Sequence, residues 1–174
     1  FLISTMLGTK SVGLYAATQQ LASVMPLIIG AISTAVLPRF SQFAEEGKLK
    51  EYFGKTLFAT SALALLLTPV IFIANDLIPL VFGSKFDESI QVFQILFTAY
   101  LVALLGNVLS LTLYAVNKPK ILTYINYLGL ATTILFYPLL ISLLGINGAA
   151  WAFLLNTVMG TVLSIYFSYR AVRE

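Results

Sequence analysis

The sequence contains no cysteine and no histidine among its 174 residues. These absences exclude disulfide bonds, zinc sites built from Cys and His, and catalysis by a Cys or His nucleophile. Charged residues are also scarce, because they make up 10% of the chain against about 25% in an average soluble domain. None of them lies in the middle of a long apolar run, where a proton relay or a voltage sensor would need one. We therefore expect no enzyme activity, no cofactor and no metal site.

Apolar residues are abundant instead. They make up 59% of the chain, and the mean hydropathy is +0.94. This composition predicts an all-α integral membrane bundle, in which most residues contact lipid or other helices. The formal charge of +3 comes from residues in the loops, so it bears on membrane topology, and we expect no nucleic-acid partner.

Five apolar runs are long enough to cross a bilayer, which takes about 20 helical residues. They cover residues 13–37, 56–74, 90–114, 121–140 and 148–169. Residues 1–7 form an apolar stub that is too short to cross. Since the chain also begins without Met, we expect a fragment that lacks an N-terminal part of the protein.

The polar stretch from Pro38 to Lys55 separates the first two runs and holds seven of the seventeen charges. Read as one helix, it places Phe40, Phe43 and Tyr52 with Phe53 on one side and the charges elsewhere. This pattern is typical of an amphipathic helix on a membrane surface. A second polar stretch, residues 75–89, has the Pro, Gly and mixed charges of a loop.

The basic residues predict the orientation of the chain. If all five runs cross, eight of the ten Lys and Arg residues fall on the side of residues 38–55 and the C-terminus. Because basic loops stay in the cytoplasm, we expect both segments to be cytoplasmic and the chain to lie in the cell membrane.

Uncharged polar residues recur at helical spacing inside the runs. They either line a wet cavity or form helix contacts held by hydrogen bonds, and the sequence leaves both interpretations open. The cavity candidates are Gln19, Ser23, Asn107, Ser110, Asn126, Thr133 and Asn156.

Three basic residues at the cytoplasmic rim, Arg39, Lys118 and Lys120, could bind a diphosphate, since a guanidinium can hold phosphate in bidentate fashion. The alternative is plain anchoring at an anionic membrane surface. Pro26 and Pro69 lie inside apolar runs and predict bends, because proline removes a helical hydrogen bond.

Four aromatic residues near the ends of the runs fit an aromatic belt at the membrane surface. They are Tyr15, Tyr137, Trp151 and Tyr169.

Several motifs together resemble a known family. They are VGLYAATQQL at Val12–Leu21, VLPRFSQ at Val36–Gln42, VFGSKFDES at Val81–Ser89, NKPK at Asn117–Lys120 and LGINGAAWA at Leu144–Ala152. In this order they resemble the C-terminal half of the multidrug/oligosaccharidyl-lipid/polysaccharide (MOP) flippase superfamily, in its polysaccharide-biosynthesis branch, which includes O-antigen-type flippases.

The resemblance implies a two-bundle transporter in which residues 1–174 form most of the second bundle. Its partners would be membrane lipids, the N-terminal bundle of the same protein, and lipid-linked oligosaccharide on undecaprenyl diphosphate, which crosses by alternating access. One departure is that the runs lack the cations with which some lipid-precursor flippases hold diphosphate. A multidrug exporter, a peptidoglycan lipid-precursor flippase and a membrane scaffold without transport activity stay open as alternatives.

Overall fold

The computed structural model describes the backbone of residues 2–173 and the side chains of residues 3–170. Within this range the chain is helical apart from short turns and a kink at Gly8, and five stretches are long and apolar enough to cross a membrane. The predicted all-α membrane bundle is confirmed. The helices are α1 (Leu2–Ala22), α2 (Val24–Glu45), α3 (Leu49–Leu67), α4 (Pro69–Phe82), a 3₁₀ helix (Ser84–Ser89), α5 (Ile90–Ala115), α6 (Pro119–Leu144) and α7 (Ile146–Arg173).

The chain has a helix break near each of the two prolines that were predicted to cause bends. The break between α1 and α2 falls at Ser23, three residues before Pro26, and Pro69 is the first residue of α4. Ser23 and Thr68 keep helical backbone angles at these breaks, so each apolar run continues past its break. The bends at these prolines, and any hinge function, stay predictions.

The stretch 38–55 differs from the single helix that its sequence predicts. Pro38 lies inside α2, which continues to Glu45, and α3 begins at Leu49. Gly47 turns the chain between them with φ of +72°. The Lys48 N–H donates to the Phe43 carbonyl at 2.9 Å and the Gly47 N–H to the Ala44 carbonyl at 3.3 Å. This is the Schellman pattern that ends helices at glycine.

The aromatic residues of this stretch nevertheless meet, across the turn. The ring of Tyr52 stacks on that of Phe43, with centroids 4.5 Å apart, and meets the ring of Phe40 edge-on at 5.2 Å. Phe40 is fully buried together with Leu49 and Val108. The turn is therefore a packed corner, which we call the aromatic corner (Phe40, Phe43, Leu49 and Tyr52).

Residues 75–82 also differ from their prediction, because they are helical and belong to α4. Ala74 and Ile78, one turn apart, are fully buried, whereas Asn75 and Asp76 are exposed. The polar residues therefore occupy the outer face of a helix that the packing of its inner face stabilises. The helix ends before Gly83, whose φ is +85°.

Helix α5 lies at the centre of the bundle and contacts all six other α-helices. Its residues are apolar on nearly every side, as expected for a helix that other helices surround. The closest neighbour is α7, where a Cβ added to Gly106 would lie 2.5 Å from the Thr161 hydroxyl. The absence of a side chain at Gly106 thus lets α5 and α7 approach closely.

Contacts at the two ends of the bundle agree with an alternating up-and-down arrangement. At one end, Lys10 of α1 forms an ion pair with Glu88 at 3.0 Å, and Asn147 of α7 donates to Gln91 of α5 at 3.0 Å. At the other end, the aromatic corner packs on Val108 of α5. The corner thus lies at the opposite end from these two polar contacts, and we call its end of the bundle the corner end.

The turn between α6 and α7 depends on glycine at position 148. A Cβ there would overlap the carbonyl group of Leu140 in α6. We expect Gly148→Ala to lower the free energy of unfolding by about 2 kcal/mol, because the added methyl group must push the two helices apart. Thermal unfolding of the full-length protein in detergent would measure this loss.

The matched control is Gly30→Ala in the middle of α2, where an added Cβ meets no atom within 4 Å. Alanine favours helix over glycine, so this variant should unfold no earlier than the wild type. Equal stability of both variants would contradict the proposed contact between Gly148 and Leu140.

Candidate functional site

An open cavity of about 270 Å³ lies between α2, α5, α6 and α7. Its wall carries no charged side chain and combines apolar and small residues with hydroxyl and amide groups. The lining residues are Ile29, Ala103, Gly106, Asn107, Ser110, Leu122, Ile125, Asn126, Thr157, Gly160, Thr161 and Ser164.

The wall is formed by the same spacing on two helices. On α5 and on α7 the lining residues recur at i, i+3, i+4 and i+7, which places four residues on one helix face. On α7 this face consists of Thr157, Gly160, Thr161 and Ser164. Both helices thus present a small and polar face towards the same space.

Three of the seven cavity candidates line this wall, namely Asn107, Ser110 and Asn126. The Asn107 amide exchanges hydrogen bonds with Ser33 of α2, at 2.9 and 3.1 Å. Ser110 donates to the Gly106 carbonyl on its own helix. Asn126 is exposed and makes no hydrogen bond with any residue whose side chain the structure describes. A free amide on a spanning helix is costly in lipid, so this position favours a wet surface.

The depth of the cavity follows from helix geometry. At a rise of about 1.5 Å per residue, Asn107 lies roughly 12 Å from the end of α5 at Ala115, and Asn126 roughly 10 Å from the start of α6. Both of these helix ends face the corner end of the bundle. The cavity therefore lies in the half of the bundle nearer the corner end.

Thr133 and Asn156, two further candidates, form a contact between α6 and α7. The Asn156 amide donates to the Thr133 hydroxyl at 2.9 Å and accepts from Thr132 at 3.5 Å. A Cβ on Gly129 would lie 3.1 Å from the Asn156 side-chain oxygen. The positions of Thr133 and Asn156 correspond to the interpretation in which polar residues form contacts between helices.

Gln19 and Ser23 lie outside the wall of the cavity. Ser23 donates to the Gln20 carbonyl at the break between α1 and α2. The Gln19 amide donates to the Tyr100 hydroxyl of α5 at 2.7 Å.

Tyr15 and Tyr137, two of the four residues assigned to an aromatic belt, are half-buried. The sequence analysis did not identify Tyr100, which is buried in the bundle. The sequence indicated the position of Tyr100, because Tyr100 precedes Asn107 by two helical turns and therefore lies on the same face of α5. Trp151 and Tyr169 are exposed at 39% and 58%, as residues in a belt would be.

The three basic candidates lie outside the cavity wall. Arg39 is exposed on α2, and its guanidinium makes no hydrogen bond or ion pair with a side chain or backbone group among the described residues. Lys120 is exposed in the first turn of α6, and Lys118 is half-exposed in the turn before it. All three thus lie at the corner end.

Comparison with known proteins gives a consistent result. A family model described as "Polysaccharide biosynthesis protein" matches residues 1–91. The chain is 28% identical over 176 residues to the lipopolysaccharide biosynthesis protein WzxC of Escherichia coli, covering 98% of this chain and 35% of that protein. It is 22% identical over 170 residues to the "Probable low-salt glycan biosynthesis flippase Agl15" of Haloferax volcanii, covering 95% of this chain and 36% of that protein. The chain thus spans about a third of the length of these curated relatives. No solved structure matches it.

Proposed function

Because this chain belongs to the polysaccharide biosynthesis protein family, we propose that it forms part of a flippase that moves lipid-linked oligosaccharide across the cell membrane. Its five candidate spans make it a multi-pass membrane protein. The names of both relatives refer to the biosynthesis of a lipopolysaccharide or a glycan. The proposed role is transport without chemical change of the substrate.

The observation that carries the proposal is the exposed amide of Asn126, which has no hydrogen-bond partner among the described residues and lies beside Asn107 and Ser110. A neutral oligosaccharide is rich in hydroxyl groups, so a wall that offers amide and hydroxyl groups without charge suits it. A cationic drug would be bound better by a carboxylate or by aromatic rings, and the wall has neither.

The proposed orientation places the aromatic corner and the C-terminus in the cytoplasm, because eight of the ten basic residues lie at that end. The cavity is then in the cytoplasmic half of the membrane, where a substrate made in the cytoplasm would enter. Alternating access would come from rocking of this bundle, residues 1–174, against an N-terminal bundle of the same protein around a shared site.

The diphosphate of the carrier, which we take to be undecaprenyl diphosphate, would stay outside the uncharged cavity. Arg39, Lys118 and Lys120 lie at the corner end, in the same half of the bundle as the cavity, and would hold the diphosphate there. A guanidinium binds phosphate in bidentate fashion, and the Arg39 side chain has no partner among the described residues to compete for it. The sugars would then occupy the cavity while the lipid tail remains in the bilayer.

Thiol labelling tests this function. The 174 residues contain no native cysteine. Single cysteines are placed at Asn126 and Ser110 of the full-length protein in membranes, after any cysteine elsewhere in it has been replaced by serine. We expect a water-soluble thiol reagent to label both positions, and added lipid-linked oligosaccharide to block the labelling. The matched control is Leu128→Cys, because Leu128 lies on the same helix and is 47% exposed outside the cavity wall; it should stay unlabelled in lipid.

Absence of labelling at Asn126 and Ser110 would mean that the cavity is dry, which fits a scaffold without transport activity. Labelling that the substrate does not block would argue for a wet cavity with another cargo.

A further inference from the structure

A groove of about 390 Å³ lies between α2 and α3, beside the aromatic corner. Helix α2 contributes Ile32 and Val36 to its wall, and α3 contributes a stripe of six residues that runs from Tyr52 to Leu63. Their spacing places the six residues on one face of α3 over three turns. None of the lining residues belongs to the wall of the cavity around Asn126. The groove is therefore a separate surface, which we call the α2–α3 groove.

The polarity of the α2–α3 groove changes along its length. Tyr52 and Lys55 lie at the end beside the aromatic corner, where stacking holds the Tyr52 ring. From there to Leu63 the wall consists of Ala, Val, Ile and Leu side chains and two threonines. The Thr60 hydroxyl donates to the Thr56 carbonyl of its own helix at 2.8 Å, so it requires no partner from a ligand. The groove thus has a charged mouth and an apolar interior.

A second cation flanks this mouth from the side of α2. Arg39 follows Val36 by three residues and Ile32 by seven, which places it on the same helix face, one turn beyond the wall. Arg39 and Lys55 are each eight residues from Gly47, on the two sides of the turn that joins α2 to α3. At an equal rise per residue, both cations lie at the same level of the bundle.

Lys55 keeps part of its capacity to bind an anion. Its ammonium donates to the Glu51 carboxylate at 2.6 Å, and the two side chains are 71% and 68% exposed. An ion pair in such an exposed place contributes little stability, and an ammonium has three N–H donors. A phosphate at the mouth can therefore share Lys55 with Glu51. It can also bind the guanidinium of Arg39, which has no partner among the described side chains.

The dimensions of the α2–α3 groove suit one hydrocarbon chain. Tyr52 and Leu63 are eleven residues apart, which is roughly 16 Å along the helix and close to the thickness of one leaflet's hydrocarbon layer. A space of about 390 Å³ over that length is narrow. A bilayer phospholipid has two chains below its phosphate, whereas a polyprenyl carrier lipid has one. The groove and its charged mouth thus match a single-chain lipid with phosphate groups at the membrane surface.

We infer that the α2–α3 groove binds the isoprenoid units of the carrier lipid nearest the diphosphate, and that Lys55 joins Arg39 as a ligand of that diphosphate. This inference rests on the proposed flippase function and adds the surface that holds the lipid part of the substrate. Helix α2 separates the two binding surfaces, since Ile29 lines the cavity and Ile32 lines the groove. The sugars and the isoprenoid chain then lie on two sides of α2, joined by the diphosphate at the corner end.

Photo-crosslinking of the full-length protein in vesicles tests this inference. The probe is undecaprenyl diphosphate with a diazirine on an isoprene unit near the diphosphate, and mass spectrometry identifies the labelled peptides. We expect labelling at residues 32–36 and 56–63, which excess undecaprenyl diphosphate removes and an equal excess of dioleoyl phosphatidylglycerol leaves in place. Removal by phosphatidylglycerol would mean that bilayer phospholipids fill the groove, and would overturn the inference. Labelling spread evenly over the exposed helix faces would overturn it as well.

Ala59→Trp is the variant that fills the α2–α3 groove. Ala59 is exposed in the groove wall, so an indole ring can occupy the groove without displacing a packed side chain. We expect labelling of the groove to fall to the level of the other exposed helix faces. The matched control is Ala31→Trp, the same change at an exposed position of α2 outside the groove wall, which should label as the wild type does. Undiminished labelling of Ala59→Trp would contradict binding in the groove.

Two charge variants test the mouth with opposite expected signs. Lipid chains are as apolar as the groove, so affinity depends strongly on the phosphate contacts. Lys55→Gln should raise the probe concentration for half-maximal labelling about fivefold, and Glu51→Gln should lower it about twofold because the competing carboxylate is gone. A loss of affinity in both variants would mean that the ion pair matters only for structure, and would remove Lys55 as a ligand of the diphosphate.

Labelling measures binding, so the inference and the proposed function can fail separately. Wild-type transport of lipid-linked oligosaccharide by Ala59→Trp, with labelling of the groove abolished, would overturn the groove as part of the substrate path and leave the flippase function intact. Specific labelling of the groove in a wild-type protein that moves no lipid-linked oligosaccharide would overturn the proposed function and still support a site for the carrier lipid.

Discussion

Phe40→Ala is expected to lower the free energy of unfolding of the full-length protein by about 3 kcal/mol, the low end of the range for truncating a buried phenylalanine. Phe40 is fully buried with Leu49 and Val108, and its ring meets the edge of Tyr52. The low end of the range applies because the helices stay in lipid when the protein unfolds, so the ring is in apolar surroundings in both states. The loss of stability then comes mainly from the cavity that the ring leaves and from its missing van der Waals contacts. A shift of the thermal unfolding midpoint in detergent would measure it.

Phe58→Ala is the matched control for this prediction. Phe58 lies on α3 and is 77% exposed, so its side chain contacts lipid in both the folded and the unfolded state. We expect a change of about 0.5 kcal/mol or less at such a surface position. If both variants lost the same stability, the aromatic corner would not be the packed element that joins α2 and α3 to α5.

The aromatic corner shows how far the sequence could predict local structure. The spacing of Phe40, Phe43 and Tyr52 indicated that these rings share a surface, and they do meet. The predicted single helix failed at Gly47, whose left-handed backbone ends α2 and reverses the chain. A glycine after the last residue of a helical pattern is a recognisable helix end, but continuous amphipathic spacing on both sides of Gly47 concealed the break.

The candidate site could be predicted only in part, because a polar stripe does not show which neighbour it faces. Asn126 and Asn156 carry the same amide on adjacent helices, yet Asn126 lines the cavity and Asn156 bonds to Thr133. The rotation of each helix decides this difference, and rotation depends on close contacts such as that of Gly106 with Thr161. Tyr15 and Tyr137 illustrate the same limit, since their distance from the span ends gave no information about the direction of their side chains.

This difference between Asn126 and Asn156 yields the prediction with the largest effect on transport. Asn126→Leu places an apolar side chain where a sugar hydroxyl would bind, and leaves that hydroxyl without a partner. A buried polar group without a hydrogen bond costs about 2 kcal/mol, which corresponds to a loss of transport of about thirtyfold. The stability of the protein should stay the same, because Asn126 bonds to none of the described residues. Outward movement of lipid-linked oligosaccharide at equal protein abundance would measure the loss.

Asn156→Leu is the matched change on α7 and should act on stability instead. It removes the hydrogen bonds to Thr133 and Thr132, and such bonds between membrane helices are worth about 0.6 kcal/mol each. The branched leucine must also fit against Gly129, where the asparagine side chain already approaches within 3.1 Å of a Cβ position. We therefore expect earlier thermal unfolding with transport per folded molecule close to wild type. A strong transport defect in stable Asn156→Leu, together with normal transport in Asn126→Leu, would reverse the two roles and place the substrate path between α6 and α7.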